Sequence, residues 1–223
     1  MAVQQPARSE SATIGRLLAV VWPFLVIVVV LLVLSSYRSQ VQAGARAYLA
    51  GNALWSAAQK DAVTWLHRYA ETGDEAHWTA YQREIAIPLN DHKARLLLQQ
   101  PTPDMAKVRR YLRAGRNAPE DIDNLIAFFR RYGSSTGIRD AVVSWQEGDH
   151  LILALDAVAK RLHAHIRGSQ GSKAQVAELL AEIDRYGARL APIERGFITQ
   201  VNNGSRRLQQ RLRWIGIGPG LAL

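Results

Sequence analysis

The chain has 223 residues, with 28 Lys and Arg against 19 Asp and Glu, a formal net charge of +9 and no cysteine. The lack of cysteine excludes disulfide bonds and thiolate metal sites. The basic charge calls for a test of nucleic-acid binding, but the Lys and Arg residues are scattered and no zinc-finger or RNA-recognition signature is present. The charge therefore indicates a basic solvated surface, and no nucleic-acid partner is expected.

An uncharged apolar segment at residues 17–34 is the first element of the chain. As a helix it would measure about 27 Å, close to the bilayer hydrocarbon thickness of about 30 Å. A secretory signal peptide has a shorter apolar region before its cleavage site, and cleavage near Ser35-Ser36 is the alternative. We predict a transmembrane helix at residues 17–34. Because residues 1–16 are short and basic, as in a signal-anchor, we place them in the cytoplasm and the following domain outside.

Residues 36–72 contain a heptad pattern and no proline. Apolar or aromatic residues recur at every seventh position, and mostly small residues stand three positions later. The recurring residues are Val41, Tyr48, Trp55, Ala62 and Tyr69, and those three positions later are Gly44, Gly51, Ala58 and Trp65. The pattern predicts a long helix that continues from the membrane segment, with small residues that allow a second helix to approach closely.

Three shorter helices are predicted between residues 73 and 136. Asp74 and Asp104 are suited to cap the first two, and Pro119 suits the first turn of the third. Pro88 is expected to kink or split the first of them. This section is expected to form the distal end of the domain.

Candidate ligand-binding residues lie in the same section. Arg130 and Arg131 suit the dipole at the carboxyl end of the third short helix, where they can also form an anion site. Together with Trp78 they are the candidate ligand contacts, on the expectation that the helices carrying them enclose a ligand.

Two further heptad patterns, at residues 138–166 and 176–215, predict two more long helices with a turn near Gly168 and Ser172. The four-residue steps between Ile193, Phe197 and Val201 form a stutter, which locally unwinds a coiled coil. Pro192 is expected to add a kink. The candidate signal-relay residues of this last helix are Ile183, Leu190, Pro192, Phe197 and Val201.

The apolar residues 214–223 follow an arginine-rich stretch and begin with Trp214, which suits a membrane interface. They are about half the length of a span, so they are predicted to start a second, truncated membrane segment. Residues 36–213 are then the helical domain. The predicted fold is all-α: an elongated antiparallel bundle, like a four-helix bundle with extra short distal helices, attached to a transmembrane helix.

No catalytic motif is found, so no enzymatic activity and no cofactor are expected. His163 and His165 are two positions apart and would point to different sides of a helix. No two histidines are spaced by four residues, so no metal site is predicted.

Three phrases resemble the amino-terminal sensor region of bacterial membrane signalling proteins: GNALWSAAQKDAVTWLHRYAETGDEAHW, AGRNAPEDIDNLIAFFRRYG and IRDAVVSWQEGDHLILAL. In that family a helical periplasmic region lies between two membrane helices, and diguanylate cyclase and phosphodiesterase domains or a histidine kinase follow. The resemblance covers most of residues 14–223. No GGDEF or EAL motif and no phospho-accepting histidine box is present, so no activity of those domains is implied for this chain.

The resemblance implies a signal-input module in the bacterial inner membrane, with a periplasmic domain and a place in cyclic di-GMP signalling. The expected partners are the lipid bilayer, a second copy of the chain in a homodimer, and an unknown small ligand or periplasmic protein. The alternative is a membrane-tethered helical scaffold that binds proteins without sensing a ligand.

Overall fold

The computed structural model describes residues 7–135, 138–168 and 172–217, with side chains described for residue 19 and from residue 21 to 211 within those ranges. They form six helices: α1 (Ala7–Thr72), α2 (Glu75–Leu98), α3 (Met105–Ala114), α4 (Pro119–Tyr132), α5 (Arg139–Arg167) and α6 (Lys173–Ile217). None of the described residues is in a strand. The predicted all-α fold is confirmed.

The chain divides into two compact units. One comprises residues 41–208 and is called the bundle below. The other comprises α1 up to Gln40 and the chain from Gln209 onward. In this second unit the apolar side chains of residues 21–33 are exposed. Of the predicted second membrane segment, residues 214–217 continue α6, whereas residues 218–223 lie outside the described residues, as do residues 1–6 of the predicted cytoplasmic segment.

The four long helices of the bundle follow an up-down-up-down order. Residue numbers run in opposite directions along the α1–α6 and α2–α5 contacts, so these pairs are antiparallel. The contacts that fix these directions are Ser56–Glu194 and His67–Asp184 between α1 and α6, and Tyr81–Asp156 and His92–Asp149 between α2 and α5. The antiparallel bundle predicted from the sequence is therefore present.

The first heptad pattern correctly identifies the core face of α1. Its five recurring residues, from Val41 to Tyr69, are all buried. Among the residues three positions later, Gly44 and Ala58 are buried, whereas Trp65 is half-buried and stacks on His77. The face of α1 that carries the recurring residues therefore packs in the interior of the bundle.

The helix ends follow the capping residues. Asp74 Oδ1 accepts a hydrogen bond of 2.9 Å from the amide of Ala76, and Asp104 Oδ1 accepts one of 3.0 Å from the amide of Lys107. Pro119 is in the first turn of α4, as predicted. Helix α2 is continuous through Pro88, so the expected split is wrong. Helix α6 is likewise continuous through Pro192.

The two short helices α3 and α4 complete one end of the bundle. A Cβ atom at Gly44 would lie 2.6 Å from Cβ and Cγ of Phe128 on α4, and one at Gly51 would lie 2.8 Å from Asn117 Oδ1. The α1–α2 turn, at Gly73, is at the opposite end. Glycines in α1 therefore make the room that α4 and the α3–α4 connection occupy.

This packing predicts opposite effects for two Gly-to-Ala substitutions. Gly44→Ala should lower the free energy of unfolding by about 1–3 kcal/mol, because the added methyl group collides with the Phe128 ring. Gly187→Ala on α6 should raise it by up to about 1 kcal/mol through helix propensity, because no atom lies within 4 Å of the added Cβ. Thermal unfolding of the full chain in detergent micelles, followed by circular dichroism, checks both. Equal effects would contradict the close α1–α4 approach.

Candidate functional site

A cavity lies where all six helices of the bundle meet. Its volume is about 50 Å³. An apolar cavity of about 150 Å³ accepts benzene, so this one has room for only a few heavy atoms. The lining residues are Tyr48, Gly51, Asn52, Trp55, Asp91, Leu112, Asn117, Leu125, Ser144, Trp145, Gly148, Ile193, Glu194 and Phe197.

Four aromatic rings form much of the cavity wall. Tyr48 and Trp55 come from the heptad face of α1, Trp145 from α5 and Phe197 from α6. The Tyr48 ring meets the edge of Trp145 at 5.9 Å between centroids, and it stacks with Phe197 at 6.1 Å. Gly148 faces Trp55, and a Cβ there would be in van der Waals contact with the indole at 3.5 Å. The rings therefore support one another across three helices.

The first acidic group of the cavity is Asp91 on α2, which is 5% exposed. Its Oδ1 accepts a hydrogen bond of 3.0 Å from Asn117 Nδ2. Burial raises the pKa of the Asp91 carboxyl well above its usual range; the hydrogen bond from Asn117 opposes this rise, and the nearby carboxylate of Asp149 adds to it. A Cβ at Gly115 would overlap the Asp91 carboxyl, so this glycine is needed where α3 ends.

The second acidic group is Glu194 on α6, which is 8% exposed. Its Oε2 accepts a hydrogen bond of 2.7 Å from the Ser56 hydroxyl and lies 3.3 Å from Lys60 Nζ. The other carboxylate oxygen, Oε1, is buried without a hydrogen-bond partner, and so is the indole nitrogen of Trp55. The site thus holds an unused acceptor and an unused donor, and such buried groups are costly unless a ligand or water satisfies them.

The raised pKa of Asp91 predicts a pH-dependent effect of Asp91→Asn. The folded chain holds a proton that the unfolded chain releases above a pKa of about 3.9, so the stability due to protonated Asp91 is complete below that pH and is lost as pH rises through the folded-state pKa. Asparagine does not titrate and keeps the acceptor for Asn117. The variant should therefore gain stability over the native chain as pH rises from about 4.

Urea unfolding at several pH values between about 4 and 9 measures this difference. The variant Asp123→Asn, at an exposed carboxylate, is the control for removal of a surface charge. A difference for Asp91→Asn that shrinks as pH rises would contradict a buried, protonated Asp91.

A buried ion cluster lies beside the cavity. Asp149 on α5, 1% exposed, accepts hydrogen bonds from Arg95 Nε at 2.6 Å and pairs with His92 Nδ1 at 2.9 Å. Burial raises the pKa of Asp149, and the bonds to His92 and Arg95 oppose the rise. Both partners are on α2, so the cluster ties α2 to α5.

The structure does not bring Trp78 and Arg130 together. Trp78, near the start of α2, stacks on His163 with 4.2 Å between ring centroids. Arg130 donates to the carbonyl oxygen of Gln100, just beyond the end of α2, at 3.0 Å. About 30 Å of helix separates these positions, because each residue adds 1.5 Å.

The roles found for the three candidate ligand residues are therefore local. Trp78 is buried in the core, Arg130 holds the carbonyl groups that follow α2, and the Arg131 guanidinium lies 5.9 Å from the centroid of the Tyr132 ring. None of the three lines the cavity. The helices that carry them, α2 and α4, reach the cavity through Asp91 and Leu125 instead, and a ligand contact by the three candidate residues stays a prediction.

The candidate relay residues of α6 lie mostly on its core face. Ile183, Leu190 and Val201 are fully buried and Phe197 is buried, whereas Pro192 is exposed. Phe197 is also a wall of the cavity. The cavity therefore contacts the same helix face that was selected for signal relay.

Sequence reasoning missed Asp91, Asn117 and Glu194. Glu194 directly follows Ile193, the first residue of the stutter, and this irregular spacing is the one local signal of an unusual core position. The partners of Asp91 and Glu194 lie 26 and 138 residues away along the chain, so no short pattern reveals them.

Among the described residues, no group of three or more His, Cys, Asp and Glu is arranged to hold a metal ion. In the same part of the chain, one helix is long and apolar enough to cross a membrane, a criterion that a signal sequence also meets. No protein-family model, no curated protein and no solved structure matches this chain.

Proposed function

We propose that this chain is the signal-input module of a bacterial membrane signal transducer, with the cavity as its ligand site. The observation that carries the proposal is that all six helices line one small cavity with an aromatic and acidic wall. A molecule bound there contacts α1 and α6 at the same time. The binding energy can therefore act on the relative position of the first and last helices.

The small volume of the cavity supplies the physical basis of a response. A ligand can shift a conformational equilibrium only by its difference in affinity for the two states. The present cavity holds about 50 Å³, so a ligand of more than a few heavy atoms requires the helices to separate. Such a ligand favours an expanded packing, and helix shifts of about 1–2 Å are a known form of switching.

Membrane attachment through the apolar part of α1 belongs to the same proposal. Residues 21–33 carry apolar side chains that are exposed throughout, and a lipid bilayer would cover such a surface. We place the segment in the bacterial inner membrane, the bundle in the periplasm and a second copy of the chain beside it. The resemblance of three sequence phrases to sensor regions of cyclic di-GMP signalling proteins supports this placement.

The anchor predicts that the full chain stays in the membrane pellet after carbonate extraction, because about 18 apolar residues bind lipid far more strongly than surface charge does. Immunoblotting of pellet and supernatant is the measurement. Replacing Val26, Val28 and Val30 with arginine should prevent insertion, since each charge costs about 2.5–3.5 kcal/mol at the membrane centre. Release of the unaltered chain into the supernatant would contradict the anchor.

The signalling role is tested in a hybrid protein. Residues 1–223 are joined to an intact second membrane span and a diguanylate cyclase domain. Gly148→Leu places a side chain into the cavity beside Trp55 and stands in for a bound ligand. Gly187→Leu is the matched control, because the site of its Cβ is open.

Cyclase output should change several-fold with Gly148→Leu and stay at the native level with Gly187→Leu. Substitutions at the relay residues Leu190 and Phe197 should alter the response. Equal output from all variants, with folding confirmed by circular dichroism, would reject the sensor and favour the membrane-tethered scaffold.

A further inference from the structure

We propose that the ligand of the cavity is a small organic ammonium cation, an inference that rests on the proposed role of the cavity as a ligand site. The juxtaposition that supports it is a carboxylate with one unused oxygen among four aromatic rings, in a wall without any basic side chain.

The unused oxygen supplies a charge partner. Glu194 Oε2 is held by Ser56 at 2.7 Å and Lys60 at 3.3 Å, whereas Oε1 is buried and unpaired. Ser56 and Lys60 therefore fix the carboxylate in place and leave one oxygen for a ligand. A cation is the partner that a buried carboxylate oxygen binds most strongly.

The aromatic rings supply the second attraction. Tyr48, Trp55, Trp145 and Phe197 line one cavity, and they come from three different helices. The face of an aromatic ring attracts a cation within about 6 Å, and quaternary ammonium groups are bound in this way by several rings together. Methyl groups on the nitrogen also gain dispersion energy against the rings. A methylated ammonium ion therefore suits both the Glu194 carboxylate and the aromatic rings.

The charges of the wall exclude an anion. The two ionisable acidic groups are Asp91 and Glu194, and no Lys, Arg or His lines the cavity. A carboxylate or phosphate ligand would be repelled by Glu194 and would find no opposite charge in the wall. A neutral ligand of the same shape would fill the space but leave Glu194 Oε1 without a charged partner.

The size of the cavity limits the cation. About 50 Å³ is one third of the cavity volume that accepts benzene, so a substituted ammonium head enters only with the helix separation proposed above, and a large ring system would need a much greater separation. Tetramethylammonium and choline are compact probes of this class. Choline has a neutral counterpart of the same shape, 3,3-dimethylbutan-1-ol, in which carbon replaces the nitrogen.

The experiment is isothermal titration calorimetry of the full chain in detergent micelles, with choline, tetramethylammonium, 3,3-dimethylbutan-1-ol and 3,3-dimethylbutanoate as probes. We expect both cations to bind, the alcohol to bind about tenfold more weakly or worse, and the anion not to bind. This comparison uses the native chain and does not depend on a variant folding. Equal affinity for choline and the alcohol, or binding of the anion alone, would overturn the inference.

Two variants on one helix locate the binding. Glu194→Gln keeps the shape of the side chain and removes its charge, so choline affinity should fall by about tenfold or more while alcohol affinity changes little. Glu182→Gln removes the charge of a carboxylate that pairs with Arg161 at 3.4 Å and does not line the cavity. It should leave choline affinity unchanged. Equal loss in both variants would place the effect outside the cavity.

The two proposals fail in different ways. If Gly148→Leu changes cyclase output but no cation binds, the cation inference is rejected and the signalling role stands. If choline binds with the stated preference but neither choline nor Gly148→Leu changes cyclase output, the cation site stands and the signalling role is rejected.

Discussion

Replacing Arg95 with methionine should lower the free energy of unfolding of the bundle by about 3–5 kcal/mol. The substitution removes the guanidinium that lies 2.6 Å from the Asp149 carboxylate, and Asp149 is 1% exposed. His92 remains 2.9 Å from the same oxygen, Oδ2, while the other oxygen, Oδ1, has no hydrogen-bond partner even in the native chain. A buried carboxylate that has lost its main positive partner is among the costliest single changes in a protein interior.

Urea unfolding of the full chain in micelles, followed by circular dichroism, measures the loss. The double variant Arg95→Met/Asp149→Leu should recover most of the stability, because replacing both members of a buried ion pair with apolar groups is often neutral. The exposed pair Arg109–Asp123, 2.9 Å apart, is the matched control, and Arg109→Met should cost less than about 1 kcal/mol. Losses of similar size for Arg95→Met and Arg109→Met would contradict the buried cluster.

Trp55→Ala is the second change with a large expected effect, a loss of about 3–5 kcal/mol. Trp55 is buried, packs beside Gly148 and belongs to the main cluster of core residues. Trp55→Phe keeps an aromatic ring, and it removes an indole N–H that has no hydrogen-bond partner. The phenylalanine variant should therefore lose much less stability than the alanine variant.

Trp145 provides the comparison for Trp55. Trp55 is buried, whereas Trp145, on α5, is half-buried at the cavity. Trp145→Ala should therefore lower the free energy of unfolding less than Trp55→Ala in the same urea measurement. The half-buried Trp145 side chain contributes less buried apolar surface than the buried Trp55 side chain. A larger loss for Trp145→Ala than for Trp55→Ala would contradict the deeper burial of Trp55.

The repeating part of the fold follows from the sequence. The seven-residue spacing from Val41 to Tyr69 identifies the buried face of α1, and Asp74 and Asp104 mark the starts of two helices. These features depend on residues that are only a few positions apart in the chain. In a helix, residues spaced by seven lie on one face, and a capping side chain binds the amides at the helix start. Pro88 was misleading because an interior proline does not always break a helix that neighbouring helices hold in place.

The candidate site does not follow from such spacing. The cavity depends on glycines at 51 and 115 that closely approach Asn117 and Asp91, and its hydrogen bonds join residues far apart in the chain. Trp78 and Arg130 were grouped because the helices that carry them were expected to enclose a ligand. Trp78 lies near the start of α2, however, whereas Arg130 binds a carbonyl group just beyond its end. These contacts depend on which distant segments of the chain pack against each other. Such long-range packing leaves no short pattern in a single sequence.

The tryptophans in the cavity wall make the intrinsic fluorescence of the protein sensitive to the contents of the cavity. Two of its six tryptophans, Trp55 and Trp145, line the cavity, one of them buried and the other half-buried. Indole emission shifts to longer wavelength as water reaches the ring, and a positive charge against the ring changes its intensity. Entry of a molecule or of extra water into the cavity therefore alters the emission of these two residues, while Trp22, exposed in the apolar segment, reports on lipid or detergent instead. Single-tryptophan versions of the chain, with phenylalanine at the other positions, would separate the occupancy of the cavity from the surroundings of the apolar segment without any added dye.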